Sequence, residues 1–288
     1  MRFARPILWL LRVTWVALPF TAGPALADAL DPAEIPLRTT ASIGLWLVWA
    51  ALLLACLVPR PVGLTAVRVA APAAVVAAGA AAAGGHASAL ALATTILAAA
   101  LALAPETGWT FANGSAYGDE RRHLLRLPGP LLLGPVWLAW ALVVAGTTAG
   151  PLLLADRRWA AGAAAAVVGL PVAALMALAL HGQSRRWLVF VPAGVVLHDH
   201  LSLTDPLLFR RTSIAALRPA PAGSDALDLT HRALGLALEL DFTEEADLPR
   251  ARPRQRLPEM TKARRILVTP TRPGAVLADA RARRIRVP

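Results

Sequence analysis

The stretch His181-Gly-Gln-Ser-Arg-Arg-Trp187 splits this chain into two unlike halves. Before it lie about 180 residues of almost unbroken apolar sequence. After it come short alternating runs, turn residues and many arginines. An apolar half of that length has few folded options, because each run of roughly 20 apolar residues matches the hydrocarbon thickness of a bilayer. A mean hydropathy of +0.55 with 57% hydrophobic residues is routine for a multi-pass membrane protein and rare for a soluble domain. The expected fold class is therefore an α-helical transmembrane bundle of about six helices, residues 1–184, followed by a small β-barrel or sandwich domain with a C-terminal helix, residues 185–288.

The spans are expected near 6–27, 41–58, 64–83, 87–104, 131–154 and 159–180. The first follows Arg2 and Arg5 and ends in Ala25-Leu26-Ala27, which also fits a secretory signal with cleavage before Asp28. Arg12 interrupts its apolar core and favours a retained helix. Pro59-Arg60-Pro61 ends the second span, because proline cannot continue a helix ladder. Spans three and four are rich in alanine, suited to packing against neighbours more than to facing lipid. Residues 105–130 form the longest polar break. None of the seven acidic residues before residue 182 is expected mid-span, which argues against a proton or cation relay.

Six spans place both termini on one side of the membrane. With the N-terminus inside, the inner segments hold nine arginines, Arg2, Arg5, Arg60, Arg68, Arg121, Arg122, Arg126, Arg185 and Arg186. The outer segments hold three, Arg38, Arg157 and Arg158. The excess predicts a cytoplasmic C-terminal domain in a bacterial plasma membrane.

The tail reads as strands at 186–192, 194–198, 207–211, 214–218, 226–229, 234–242 and 265–269. In 236–242, Leu236, Leu238, Leu240 and Phe242 point one way, and Glu239 and Asp241 the other. Residues 243–263 read as a charged, proline-punctuated loop. Residues 273–286 read as a closing helix capped by Thr271, with Val276, Leu277, Ala280 and Ile285 inward. The tail is expected to fold alone.

This layout resembles the pleckstrin-homology-like (PH-like) domains of multi-pass bacterial membrane proteins. The residues that carry the resemblance are Trp187-Leu-Val-Phe-Val-Pro-Ala-Gly-Val-Val-Leu-His198, then Arg211-Thr-Ser-Ile-Ala-Ala-Leu-Arg218, then Ile266-Leu-Val-Thr-Pro-Thr-Arg-Pro-Gly-Ala-Val-Leu277. It covers about the last 100 residues. The whole chain is similar to integral membrane proteins of high-GC Gram-positive bacteria, in keeping with Lys262 as its only lysine. The resemblance brings no activity with it.

Two docking surfaces stand out. Arg250, Arg252, Arg254, Arg256, Lys262, Arg264 and Arg265 face a single acid, Glu259, across residues 250–265, a net charge of +6. Such a segment suits anionic lipid headgroups or an acidic protein partner. Asp119, Glu120, Arg121 and Arg122 in the polar break form a second candidate, for docking the tail or a partner. His198-Asp199-His200 has too few ligands for a metal and reads as a polar turn. Asn113-Gly114-Ser115 matches a glycosylation pattern but reads as a turn. P-loop, G-x-S-x-G, H-E-x-x-H and C-x-x-C patterns are missing, and one cysteine, Cys56, leaves no disulfide framework. The expectation is a non-enzymatic membrane protein without a cofactor and without nucleic acid as a partner. Its PH-like domain scaffolds or recruits a partner at the inner face. A transporter or channel component, or an enzyme acting on lipid or envelope precursors through residues 105–130, are the alternatives.

Overall fold

The computed structural model describes residues 4–251 and 259–288. The chain divides into two compact units, one of Met1–Gly114 with Val136–His181 and the other of Ser115–Pro135 with Gly182–Pro288.

In the first unit, α1 (Ala4–Thr21), α2 (Gly23–Leu30), α3 (Ile35–Leu57), α4 (Pro61–Ala83), α5 (Ala89–Leu103) and α6 (Pro105–Asn113) follow in order. A strand β1 (Arg121–Leu124) and a single turn α7 (Gly129–Leu132) interrupt the run before α8 (Pro135–Ala155) and α9 (Trp159–Gln183). Proline in the first turn of α2, α3, α4 and α6 presets the helical φ where no N–H is needed. Among the described residues, five segments are long and apolar enough to cross a membrane: Pro6–Leu30, Ile35–Leu57, Pro61–Ala83, Pro135–Ala155 and Trp159–Gln183. The pair α5 and α6 passes the same test together, bent by 55°.

Pro105 causes that bend, since it cannot donate to the ladder and Ala104 before it is extended. Thr107 Oγ1 donates to Leu101 O at 2.7 Å and satisfies a carbonyl freed by the break. So the first nine residues of the expected polar break are helical, and Phe111 is fully buried. Glu106 stands at the bend.

Contacts within this unit fix which turns share an end. Gly114 abuts Pro59 so closely that a Cβ there would collide with Pro59 O. The tip of α6 therefore lies beside the α3–α4 turn. Thr65 Oγ1 and His181 Nδ1 are 3.0 Å apart, which brings the end of α9 to the same level. At the other end Arg157 in the α8–α9 turn pairs with Glu34 before α3 at 3.6 Å. The bent pair thus runs from one end of the unit to the other. Arg12 ties α1 to α3, its Nε and Nη2 donating to Cys56 O at 3.0 and 2.8 Å. Trp15 and Trp49 exchange ring N–H donations to each other's backbone carbonyls, both at 2.9 Å.

The second unit is strand-rich. Strands β2 (Trp187–Val191), β3 (Gly194–His198) and β4 (Leu207–Arg210) continue from β1 as an antiparallel sheet ordered β1-β2-β3-β4. The second sheet has β5 (Ile214–Pro219), β6 (Leu227–Asp228), β7 (Leu238–Arg250) and β8 (Glu259–Val268), ordered β5-β7-β8-β6, with β6 parallel to β8. Helix α10 (Pro273–Ala282) closes the unit. Phe190, Leu197, Phe209, Leu240, Phe242 and Val276 belong to one buried core, which Leu125 also enters.

Several expectations change here. The tail alone does not complete its own sheet, because β1 comes from between α6 and α8 and pairs β2 with Arg121 opposite Phe190 and Leu124 opposite Trp187. Residues 243–250 and 259–263 are strand, not loop, since β7 and β8 extend well beyond the core. Thr271 does not cap α10; Arg272 holds that position with no side-chain cap. Ile285 is buried but lies past the helix. Leu236 is half exposed ahead of β7, while Glu239, expected to face solvent, is fully buried.

Candidate functional site

The strand unit is organised around a buried guanidinium. Arg186, expected at the membrane surface, is 1% exposed. Its Nε donates to Asp199 Oδ1 at 2.6 Å and its Nη2 to Asp199 Oδ2 at 2.9 Å. Its Nη1 donates to Arg126 O at 3.0 Å, reaching into the segment before α8. Asp199 also accepts from Leu201 N at 3.1 Å and Ser202 Oγ at 2.7 Å, which explains the polar turn at 199–202. Burial pushes the Asp199 carboxyl up, but the two Arg186 bonds, its charge, and the Ser202 and Leu201 donors outweigh this and hold it below the usual carboxylate range. His231 Nε2 lies 2.8 Å from Ser202 Oγ and 4.0 Å from Asp199 Oδ2. Serine, histidine and aspartate are thus adjacent, but not as a nucleophile relay. Ser202 is fully buried and stands between the other two, with its oxygen shut away from any substrate.

The stretch Asp119–Arg122 lies within this strand unit. Glu120 binds Arg122 through two contacts, Nε to Oε1 at 2.8 Å and Nη2 to Oε2 at 3.1 Å. The Arg122 bonds hold the Glu120 carboxyl below its usual range. The Arg122 guanidinium also stacks 4.7 Å over the Trp187 ring. Arg121 Nη1 donates to Glu120 O at 2.8 Å. Asp119 O accepts from Arg283 Nη2. The neighbouring His123 is buried, and its Nε2 meets Asp279 Oδ2 of α10 at 2.9 Å. These residues are edge-strand fixtures that fasten 115–135 to the tail.

The basic segment is dispersed. Arg252, Arg254 and Arg256 lie outside the described residues. Arg250 is part-buried, its backbone bridged to Leu203. Arg265 pairs with Asp225 at 2.9 Å and reaches Glu239 at 3.9 Å. Lys262 and Arg264 are exposed on β8, with Lys262 opposite Asp247 of β7. The antiparallel register thus sets Glu244, Glu245 and Asp247 on the strand that pairs with the basic one. Residues 243–265 hold seven basic and four acidic residues, a net of +3 where 250–265 alone gave +6.

Glu239 anchors the far side of the second sheet. Arg218 Nη2 donates to its Oε1 at 2.6 Å and Ser224 Oγ to its Oε2. Burial raises the Glu239 carboxyl, and Ser224 and Arg218 more than reverse it. A cavity of about 210 Å³ opens between Asp119, Arg211 and Arg283 over Pro192 and Ile285. That is below the roughly 300–1,000 Å³ usual for small-molecule sites. Among the described residues no group of three or more His, Cys, Asp or Glu side chains is placed to hold a metal ion.

Sequence reading missed the Arg186–Asp199, His123–Asp279 and Arg218–Glu239 pairs. Only Asp199-x-x-Ser202 carried a local signal, an Asp that accepts from residues just after it. Comparisons with protein-family models, with curated proteins and with solved structures find no match for this chain.

Proposed function

We propose that this is an integral membrane protein whose strand unit, a PH-like domain at the cytoplasmic face, recruits a partner and carries out no chemistry of its own. The observation that carries the reading is the two-segment construction of that unit, Ser115–Pro135 with Gly182–Pro288. The chain passes between the units three times, near residues 114, 135 and 181. The chain therefore enters or leaves that unit at three points and not through a single linker. Two four-stranded sheets, antiparallel except for β6, and a C-terminal helix support the PH-like reading. Its departures are a first strand drawn from outside the tail and the parallel β6.

Connectivity supports the topology. Both segments of the strand unit are on one side, so α8 and α9 cross as a pair. Counting α5 and α6 as one broken crossing gives six, and the termini then share a side. The side of the strand unit carries Arg5, Arg60 and Arg68 with Arg121, Arg122, Arg126, Arg185 and Arg186, and the other end carries Arg38, Arg157 and Arg158. That bias favours the first end as cytoplasmic. The bent pair with Glu106 at its break favours a transporter component as the second reading.

Photo-cross-linkers at the exposed positions Tyr117, Leu208 and Met260 of the full chain, compared with apolar Leu175 on α9, test the proposal. A single discrete protein adduct confined to the strand positions is the expected result. Adducts at none of them, together with a transport defect in Glu106→Gln, would turn the assignment to the transporter.

A further inference from the structure

Arg12 and Arg68 lie more than a turn inside apolar helices, and they are treated differently. Arg12 spends two of its donors on Cys56 O and stacks 4.9 Å from the Trp9 ring. Arg68, on α4, has a buried Nε without a hydrogen-bond partner. Among the described residues no carboxylate lies within ion-pair distance of it. A guanidinium stays protonated, so its charge in an apolar setting demands an anion from elsewhere.

Position says which anion. Arg68 is seven residues past Pro61, about 10 Å along the helix at 1.5 Å per residue. Side chains on a helix lean towards its N-terminus, and the arginine stem is long. The guanidinium is thereby directed back towards the level of Thr65, one turn earlier on the same face. There Thr65 Oγ1 meets His181 Nδ1 at 3.0 Å, so α4 and α9 bring a hydroxyl and an imidazole to the same depth. Trp140 Nε1 donates to Val69 O at 2.9 Å and fastens α8 beside this turn. Arg60, exposed, adds a second positive charge at the mouth of α4. Arg68 itself is half-buried, so part of the side chain stays accessible from outside. At that depth in a bilayer the anion on offer is the phosphate of a lipid headgroup, whose oxygens a guanidinium can bridge in pairs.

We propose that Arg68, with Thr65 and His181, forms a phosphate-binding site for an anionic membrane lipid among α4, α8 and α9. The site is independent of the partner-recruiting role of the strand unit. Its test is native mass spectrometry of the full chain in detergent, titrated with phosphatidylglycerol. The wild type should retain one lipid, and Arg68→Gln should weaken that binding at least about tenfold, the scale of a lost charged hydrogen bond. Arg38→Gln, an exposed arginine paired with Asp31, should leave it unchanged. Equal binding by wild type and Arg68→Gln overturns the site. Displacement of the lipid by excess inorganic phosphate overturns the lipid source and makes this a soluble-anion site. Should Arg68→Gln fail to fold, Arg68→Lys carries the test. Lysine keeps the charge but cannot bridge two oxygens, so a severalfold weakening is expected, and unchanged affinity refutes the proposal.

Discussion

Removing the Asp199 carboxylate is the most direct probe of how the strand unit is held together. In Asp199→Ala the Arg186 guanidinium keeps one bond, to Arg126 O, and loses both charged ones. The charge stays 1% exposed with no counter-ion. Breaking a buried pair from one side costs about 3–5 kcal/mol. Amide exchange in β2 and β3, measured on the full chain in detergent, should then accelerate between about 100-fold and several thousand-fold. The double change Arg186→Met with Asp199→Leu removes both charges and replaces them with apolar volume. It should recover most of the loss, because a buried pair is worth little against well-packed hydrophobes. Exchange within about tenfold of wild type in Asp199→Ala would refute the reasoning. So would a double variant as unstable as the sum of the two single changes, since the two groups would then not be coupled.

Residues 186–288 expressed alone should be markedly less stable than the same fragment joined to 115–135, because Leu125 and the β1 pairing are lost; burying one leucine is worth about 1.5–3 kcal/mol, and equal cooperative melts would contradict the two-segment unit. Gly150→Leu in α8 should lower the melting temperature of the full chain, since a Cβ there would stand 2.9 Å from Ala166 Cα and force α8 and α9 apart; an unchanged melt would deny that contact. Burial holds His198, His200 and His231 below the usual histidine range. The unfolded chain gains protons near pH 6.5 while these folded groups stay neutral, so stability present above about 6.5 should be lost as pH falls. His231 sits at φ +51°, which asparagine tolerates, so His231→Asn should flatten part of that slope in melts taken from pH 7.5 downwards.

The membrane half was legible because hydropathy and length act locally. The expected spans at 41–58 and 64–83 became Ile35–Leu57 and Pro61–Ala83, a few residues from the reading. The strand unit was legible only in part, because its edges depend on pairing at long range. Nothing local to Arg121-Arg-His-Leu124 says that it pairs with Trp187–Val191, more than sixty residues later. Alternation in β7 placed Leu238, Leu240 and Phe242 correctly in the core, but it also sent Glu239 outward. The face opposite the core is covered there by Arg218 and Ser224, which a period-two pattern cannot report. The basic segment misled for a similar reason. Counting charge along 250–265 ignores the strand that hydrogen-bonds to it, and that strand carries five acids.

Arginine usage in this chain invites a compositional explanation, since a single lysine among 29 basic residues looks like codon bias. Bias sets how many arginines there are, not what each one does. Arg186 uses three separate nitrogens on two partners, Asp199 and the backbone of Arg126. A lysine ammonium at that point is a single centre on a flexible stem, and cannot hold both carboxylate oxygens in plane while reaching a carbonyl on a third segment. Arg186 therefore joins the start of β2, the turn after β3 and the chain before α8 through one planar group. Arg186→Lys would keep the charge and lose the geometry. Its expected signature is faster exchange near Arg126 and Leu125, with smaller changes in β7 and β8. A uniform loss across both sheets would instead mean that charge alone matters, and that the segment 115–135 is held by its strand pairing without help from this side chain.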